Sequence, residues 1–145
     1  MFILKMDSQR GMPQRSMKKS EPQIKIPEGI ISVYTEITGP RAKRIIKMAL
    51  DTGASFTMIP PEKIIATGHK IPTSPEKMIR IFTASGIEYI PLVTISSLSC
   101  LGVTVRNINV VSHNLPPESS VEGLLGLNFL IHLPAFVEFF HKIRP

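Results

Sequence analysis

Met48-Ala49-Leu50-Asp51-Thr52-Gly53-Ala54-Ser55-Phe56-Thr57-Met58-Ile59 places a polar triplet between two short apolar runs. The runs read as strands, so Asp51, Thr52 and Gly53 fall on a tight strand-to-strand turn. A carboxylate is thereby presented at a bend where glycine lets another backbone or a substrate come close. Taken alone, such a triplet is an ordinary Asx-type turn, and its surroundings decide what it means. The chain contains two aspartates, Asp7 and Asp51, so beyond the first 22 residues the single aspartate sits in this turn.

Upstream, Ile30–Ile37 and Arg44–Leu50 read as strands joined by a turn at Thr38-Gly39-Pro40. Downstream, Phe56–Ile59 is a short strand, and Pro60-Pro61-Glu62 opens a helical turn over Glu62–Ala66 that Gly68 ends. Met78–Thr83 and Ile87–Ile95 flank Ala84-Ser85-Gly86, the pattern of a β-hairpin with glycine available for a positive φ. From Leu101 to Val111 the apolar phase switches, Val103 and Val105 on one face and Ile108 and Val110 on the other, which predicts a bulge or bend near Arg106-Asn107. Beyond Pro116-Pro117, the spacing predicts one short helix over Gly126–Leu133, stopped by Pro134, and a last strand over Ala135–Phe140. β-Branched runs punctuated by Gly, Pro, Ser and Asn predict an all-β domain.

A second motif completes the picture. Val121-Glu122-Gly123-Leu124-Leu125-Gly126-Leu127-Asn128-Phe129-Leu130 is an apolar run with glycines feeding the short helix. Together the Asp51-Thr52-Gly53-Ala54 turn and the Leu124-Leu125-Gly126 run resemble the retropepsin-like aspartic proteases, the single-domain family of retroviral-type enzymes and their cellular and bacterial relatives. The order of elements agrees over roughly residues 30 to 140. The resemblance implies a closed barrel with a flap hairpin and one short C-terminal helix, with the protease domain over residues 23–145.

The same resemblance implies residue roles. Asp51, Thr52 and Gly53 are the catalytic turn: Asp51 is the catalytic carboxylate, the Thr52 hydroxyl interlocks across subunits, and the Gly53 backbone meets substrate. Ala54 and Ser55, with Thr83, Ala84, Ser85 and Gly86 at the flap position, contact substrate, while Leu124, Leu125, Gly126 and Asn128 support the turn from beneath. One Asp-Thr-Gly per chain implies a homodimer, since the chemistry needs two carboxylates sharing a proton. Ala54 stands where pepsin-like enzymes have Ser, which implies a less acidified carboxylate and mildly acidic to neutral working conditions. Ser55 and Leu127 replace an Asp and an Arg that pair in retroviral members, and Asn128 reads either as a local helix cap or as a dimer brace.

Composition excludes other classes. Hydrophobic residues at 43% and charged residues at 19% are globular values, and 145 residues suit one domain. Of the net charge of +6, +4 lies in residues 1–20, where Lys5, Arg10, Arg15, Lys18 and Lys19 face Asp7 alone; residues 1–22 read as a mobile basic tail, the functional alternative being a leader that the mature dimer removes, as the resemblance allows. The body has neither a basic stripe nor, without Trp, an aromatic platform, so no nucleic-acid partner is expected. Val121–Phe140, the most apolar stretch, is broken by Glu122, Asn128, His132, Pro134 and Glu138, so no membrane span is expected. Phe2-Ile3-Leu4 is too short for a signal peptide, and a lone Cys100, read as a small inert thiol, asks for no oxidising compartment; cytoplasm is the expected location. His69, His113, His132 and His141 match no ligand spacing, so neither metal nor cofactor is expected. The expected function is that of an aspartic endopeptidase acting on peptide or protein substrates; the alternative is a non-proteolytic dimerisation or peptide-binding module that keeps the fold.

Overall fold

Alternation of inward and outward side chains builds the first sheet pair. In Ser32–Thr38 (β1), Thr35 and Ile37 are buried, and in Lys43–Leu50 (β2), Ile46 and Met48 are. The two strands run antiparallel, with Ser32 opposite Ala49 and Thr38 opposite Lys43. The computed structural model describes residues 30–143; the expected tail over residues 1–22 lies outside them. After β2 come Thr57–Ile59 (β3), helix Pro61–Ala66 (α1), Met78–Thr83 (β4), Gly86–Cys100 (β5), Val103–Ser112 (β6), Gly123–Leu125 (β7), and helices Leu127–Leu130 (α2) and Pro134–Ile143 (α3).

Six of these strands close into a ring. Their order is β1-β2-β7-β3-β6-β5, and β5 returns to β1 through Glu36–Thr38 against Ser97–Ser99. β4 pairs with β5 alone, forming a hairpin that extends from the barrel. Ile37, Met48, Ile59, Leu98 and Leu125 fill the interior, and Phe129 of α2 joins them. Cys100 belongs to this core, and burial pushes its thiol up from the ordinary value. A second cluster lies under the hairpin, where Ile79, Ile81 and Ile90 meet Ala49, Met58 and Leu124. The all-β barrel expected from the sequence is thus the observed architecture. No helix among the described residues is long and apolar enough to cross a membrane.

The predicted change of phase in β6 occurs, and β5 changes with it. Val93 and Ile95 face the core in one phase, Leu98 and Cys100 in the other. Ile95 lies opposite Ile108 and Ser97 opposite Arg106, so no residue is inserted and the feature is a bend with the register intact. Asn107 makes the bend at φ 54°, a left-handed conformation that asparagine tolerates better than most residues. At the same level the Ser96 N–H leaves the ladder and donates to Nε2 of His69 at 3.0 Å.

His69 is therefore a structural residue. The Thr67 hydroxyl donates to the Ile64 carbonyl at 2.9 Å and sits 2.9 Å from His69 Nδ1, so Nδ1–H is the donor there and the ring is neutral. Burial holds its pKa below the ordinary histidine value, opposed by a backbone hydrogen bond with Ile64. The unfolded chain thus binds more protons than the folded one just below the ordinary value of about 6.5. Stability from this group is complete above that value and is lost as the pH falls through the window beneath it. The gap in urea-unfolding free energy between wild type and His69→Gln is expected to narrow between pH 7.5 and 5; a gap independent of pH would refute this.

Leu101 and Gly102 turn β5 into β6 with φ of 52° and 79°, while Cys100 and Val103 pair across the turn. A two-residue hairpin turn with both φ positive favours Asn-Gly, yet a leucine that is 60% exposed occupies the first position. Leu101→Asn is expected to stabilise the protein by about 0.5–1 kcal/mol, read as a higher urea midpoint.

The C-terminus departs from expectation. Ala135–Phe140, read as a last strand, belongs to α3, and Pro134 starts this helix instead of stopping the previous one. Proline suits a first helical position because its missing N–H would be unpaired there, and Val137 N–H already bonds to the Leu133 carbonyl at 3.1 Å. The helix expected over Gly126–Leu133 is only Leu127–Leu130. β5 also reaches Cys100, five residues past the expected end.

Candidate active site

Asp51 leaves the end of β2 with its own N–H bonded to the Leu125 carbonyl at 2.9 Å. The chain then turns: Ala54 N–H returns to the Asp51 carbonyl at 3.2 Å, and Gly53 N–H donates to the Asp51 Oδ1 at 2.9 Å. The carboxylate is half-buried and oriented by a backbone donor, while Thr52 and Gly53 stand exposed at the tip.

β7 holds the two arms of this turn. It runs parallel to β2, with Ala49 opposite Leu124 and Leu50 opposite Leu125. On its other side it runs antiparallel to β3, with Met58 opposite Leu124. The strand before Asp51 and the strand after it are thus bridged by Leu124 and Leu125. Glycine is needed at both ends of the bridge, because a Cβ on Gly123 would lie 2.5 Å from the Met58 carbonyl oxygen and one on Gly126 would lie 2.5 Å from that of Phe56.

Hydrogen bonds complete the frame. Leu127 N–H donates to the Ala54 carbonyl at 2.8 Å and Asn128 N–H to the Ser55 carbonyl at 3.2 Å. Gly126 N–H donates to the Thr57 hydroxyl at 3.1 Å. Asn128 Oδ1 accepts from both the N–H and the hydroxyl of Thr57, at 3.0 and 2.9 Å, and its amide nitrogen donates to the Asn109 carbonyl at 2.6 Å. Asn128 is therefore not a cap, since Gly126 occupies the cap position of α2. Within one chain it ties the exit of the Asp51 turn to β6.

The structure joins Asp51, Thr52, Gly53, Ala54 and Ser55 to Leu124, Leu125, Gly126 and Asn128 as one unit. The other expected group lies on the hairpin. Thr83 pairs with Gly86, Gly86 has φ 128°, and Ala84 and Ser85 form the exposed turn between them. Ile81 of the hairpin and Phe56 of the turn pack against the same apolar cluster, which couples the two regions. Sequence reading passed over Thr57 and Asn109. Thr57 carried a usable signal, since a hydroxyl inside an apolar strand needs a partner when buried; Asn109 carried none.

The family model described as "gag-polyprotein putative aspartyl protease" matches residues 38–132. That span runs from the end of β1 through α2 and contains the Asp51 turn, the hairpin and β7. The crystal structure of a retropepsin-like aspartic protease from Rickettsia conorii is similar over 74% of this chain and 72% of that chain, at 20% identity and a TM-score of 0.49. No curated protein matches the chain.

Proposed function

Because the chain belongs to the gag-polyprotein aspartyl protease family, we propose that it is an endopeptidase in which two copies each contribute Asp51 to activate a water. The family and the retropepsin-like all-β fold are those of aspartic proteases. The observation that carries the finer reading is the Asp51 turn itself: a half-buried carboxylate, oriented by the Gly53 N–H and braced from beneath by β7, at an exposed tip.

Close like charges resist joint ionisation, so a pair of such carboxylates holds one proton between them. The ionised member takes a proton from water as the oxygen attacks the scissile carbonyl carbon. The protonated member donates to the carbonyl oxygen. The resulting tetrahedral diol collapses with cleavage of the C–N bond, and a proton passes to the departing amine. Asp51 is the only aspartate among residues 23–145, so the second carboxylate comes from a second copy related by a two-fold axis. Thr52 at the tip meets its counterpart there, the Gly53 backbone and Ala54 and Ser55 border the substrate, and the Thr83–Gly86 turn closes over it as a flap.

A mixed peptide library incubated from mildly acidic to neutral pH tests this. Wild type is expected to cut internal bonds with a rate rising faster than linearly in enzyme concentration, and Asp51→Asn to cut none. One observation favours a non-proteolytic module of the same fold: residues 134–143 are helical, so no C-terminal strand over them is available to a sheet shared between copies. A folded, dimeric wild type that cleaves nothing would establish that second reading.

A further inference from the structure

The β4–β5 hairpin has two unlike faces. On one, Met78, Arg80 and Phe82 lie opposite Pro91, Tyr89 and Ile87, and Arg80 stacks over the Phe82 ring at 5.4 Å. On the other, Ile79 and Ile81 lie opposite Ile90 and Glu88, and the three isoleucines pack on the cluster that holds Phe56, Met58 and Leu124. Glu88 is thus the one charged residue of the hairpin on the face that packs on this cluster, which includes Phe56 just after the Asp51 turn. It faces a cleft of about 350 Å³ between the hairpin and residues 113–116.

The walls of that cleft differ in chemistry. Ile81, Ala84, Leu115 and Pro116 are apolar, Ser85 and Asn114 are polar, and Glu88 and His113 are its ionisable residues. His113 Nε2 lies 3.7 Å from Glu88 Oε1, with both side chains more than a third exposed. At that distance the pair makes no hydrogen bond and remains loose. A half-screened carboxylate in a cleft whose wall is apolar at Ile81, Leu115 and Pro116 suits a long side chain with an aliphatic stem and a cationic head.

We propose that this cleft selects a lysine or arginine of the peptide substrate, its methylenes against Ile81, Leu115 and Pro116 and its charged head on Glu88. The proposal rests on the protease reading for the direction of the peptide past Asp51, but its test does not depend on hydrolysis. Glu88 sets specificity by touching substrate, and His113 is a neighbour that a cationic side chain replaces as the partner of the carboxylate.

The measurement is fluorescence polarisation of labelled peptides on the Asp51→Asn protein, comparing sequences that differ only by lysine or its uncharged counterpart norleucine at one position. At one position the lysine peptide is expected to bind about tenfold tighter. Adding Glu88→Gln is expected to bring that ratio to about one by weakening the lysine peptide, whereas adding His113→Gln leaves the preference in place. A hairpin contact that is merely structural would weaken both peptides alike in either variant. The proposal is overturned by a ratio near one at every position, by a ratio unmoved in Glu88→Gln, by parallel weakening of both peptides, or by no binding of either peptide to folded protein. Hydrolysis of the same peptides by wild type is scored separately: a lysine preference that Glu88→Gln removes, with no cleavage by wild type, keeps this cleft and rejects the protease reading.

Discussion

An equal mixture of wild type and Asp51→Asn, allowed to exchange subunits, is expected to retain about a quarter of the activity of the same total concentration of wild type, because random pairing leaves that fraction of dimers with two carboxylates. The pure variant is expected to lose roughly a thousandfold or more, since asparagine can neither accept the proton of the attacking water nor share one with its counterpart. The variant side chain still accepts the Gly53 N–H through its amide oxygen, so the turn seen here survives the exchange. Far-UV circular dichroism of the pure variant should match wild type. Retention of about half the activity in the mixture would mean that each copy acts alone, and the shared dyad would be wrong.

Gly126→Ala is expected to destabilise the protein by about 3 kcal/mol or more, enough to unfold much of the population at physiological temperature. The backbone at this position, φ −92°, is open to any residue, so the penalty is steric. The added Cβ would lie 2.5 and 2.6 Å from the Phe56 carbonyl oxygen and carbon and 2.8 Å from the Ala54 oxygen. All three are backbone atoms of the Asp51 turn, and none can swing away as a side-chain end can. Gly53→Ala supplies the contrast. Its Cβ meets only the Asp51 Oδ1, at 3.2 Å, so urea unfolding should shift little while hydrolysis suffers from a displaced carboxylate. Equal stability loss in the two variants would remove the distinction between a glycine required by packing and one beside the chemistry.

What could be read from the sequence was local. The Asp51 turn, the β4–β5 hairpin and the bend at Asn107 each declare themselves within about ten residues, through glycine placement or through a change of period. The C-terminal helix was missed because Ala135–Phe140 is a short apolar run, and period alone does not separate a strand from a helix at that length. His69 was illegible as a structural residue, since the amide it accepts from belongs to Ser96 on another element. The same holds for the tie between Thr57 and Asn128, which joins residues 71 positions apart. The sequence pattern thus placed the carboxylate on its turn, whereas the atoms that brace the turn became visible only once distant elements met.

The insertion of β7 between β2 and β3 also orders events in time. Leu124 and Leu125 bridge strands laid down some 65 to 75 residues earlier, so closure of the barrel depends on contacts of long sequence separation, which slows folding. A growing chain that has emerged only as far as residue 120 holds the Asp51 triplet but lacks the strand that spans its two arms. Its carboxylate cannot yet be held as in the finished domain. Assembly of the candidate active centre therefore waits for the synthesis of β7, and a chain cut short before β7 carries the motif without the geometry.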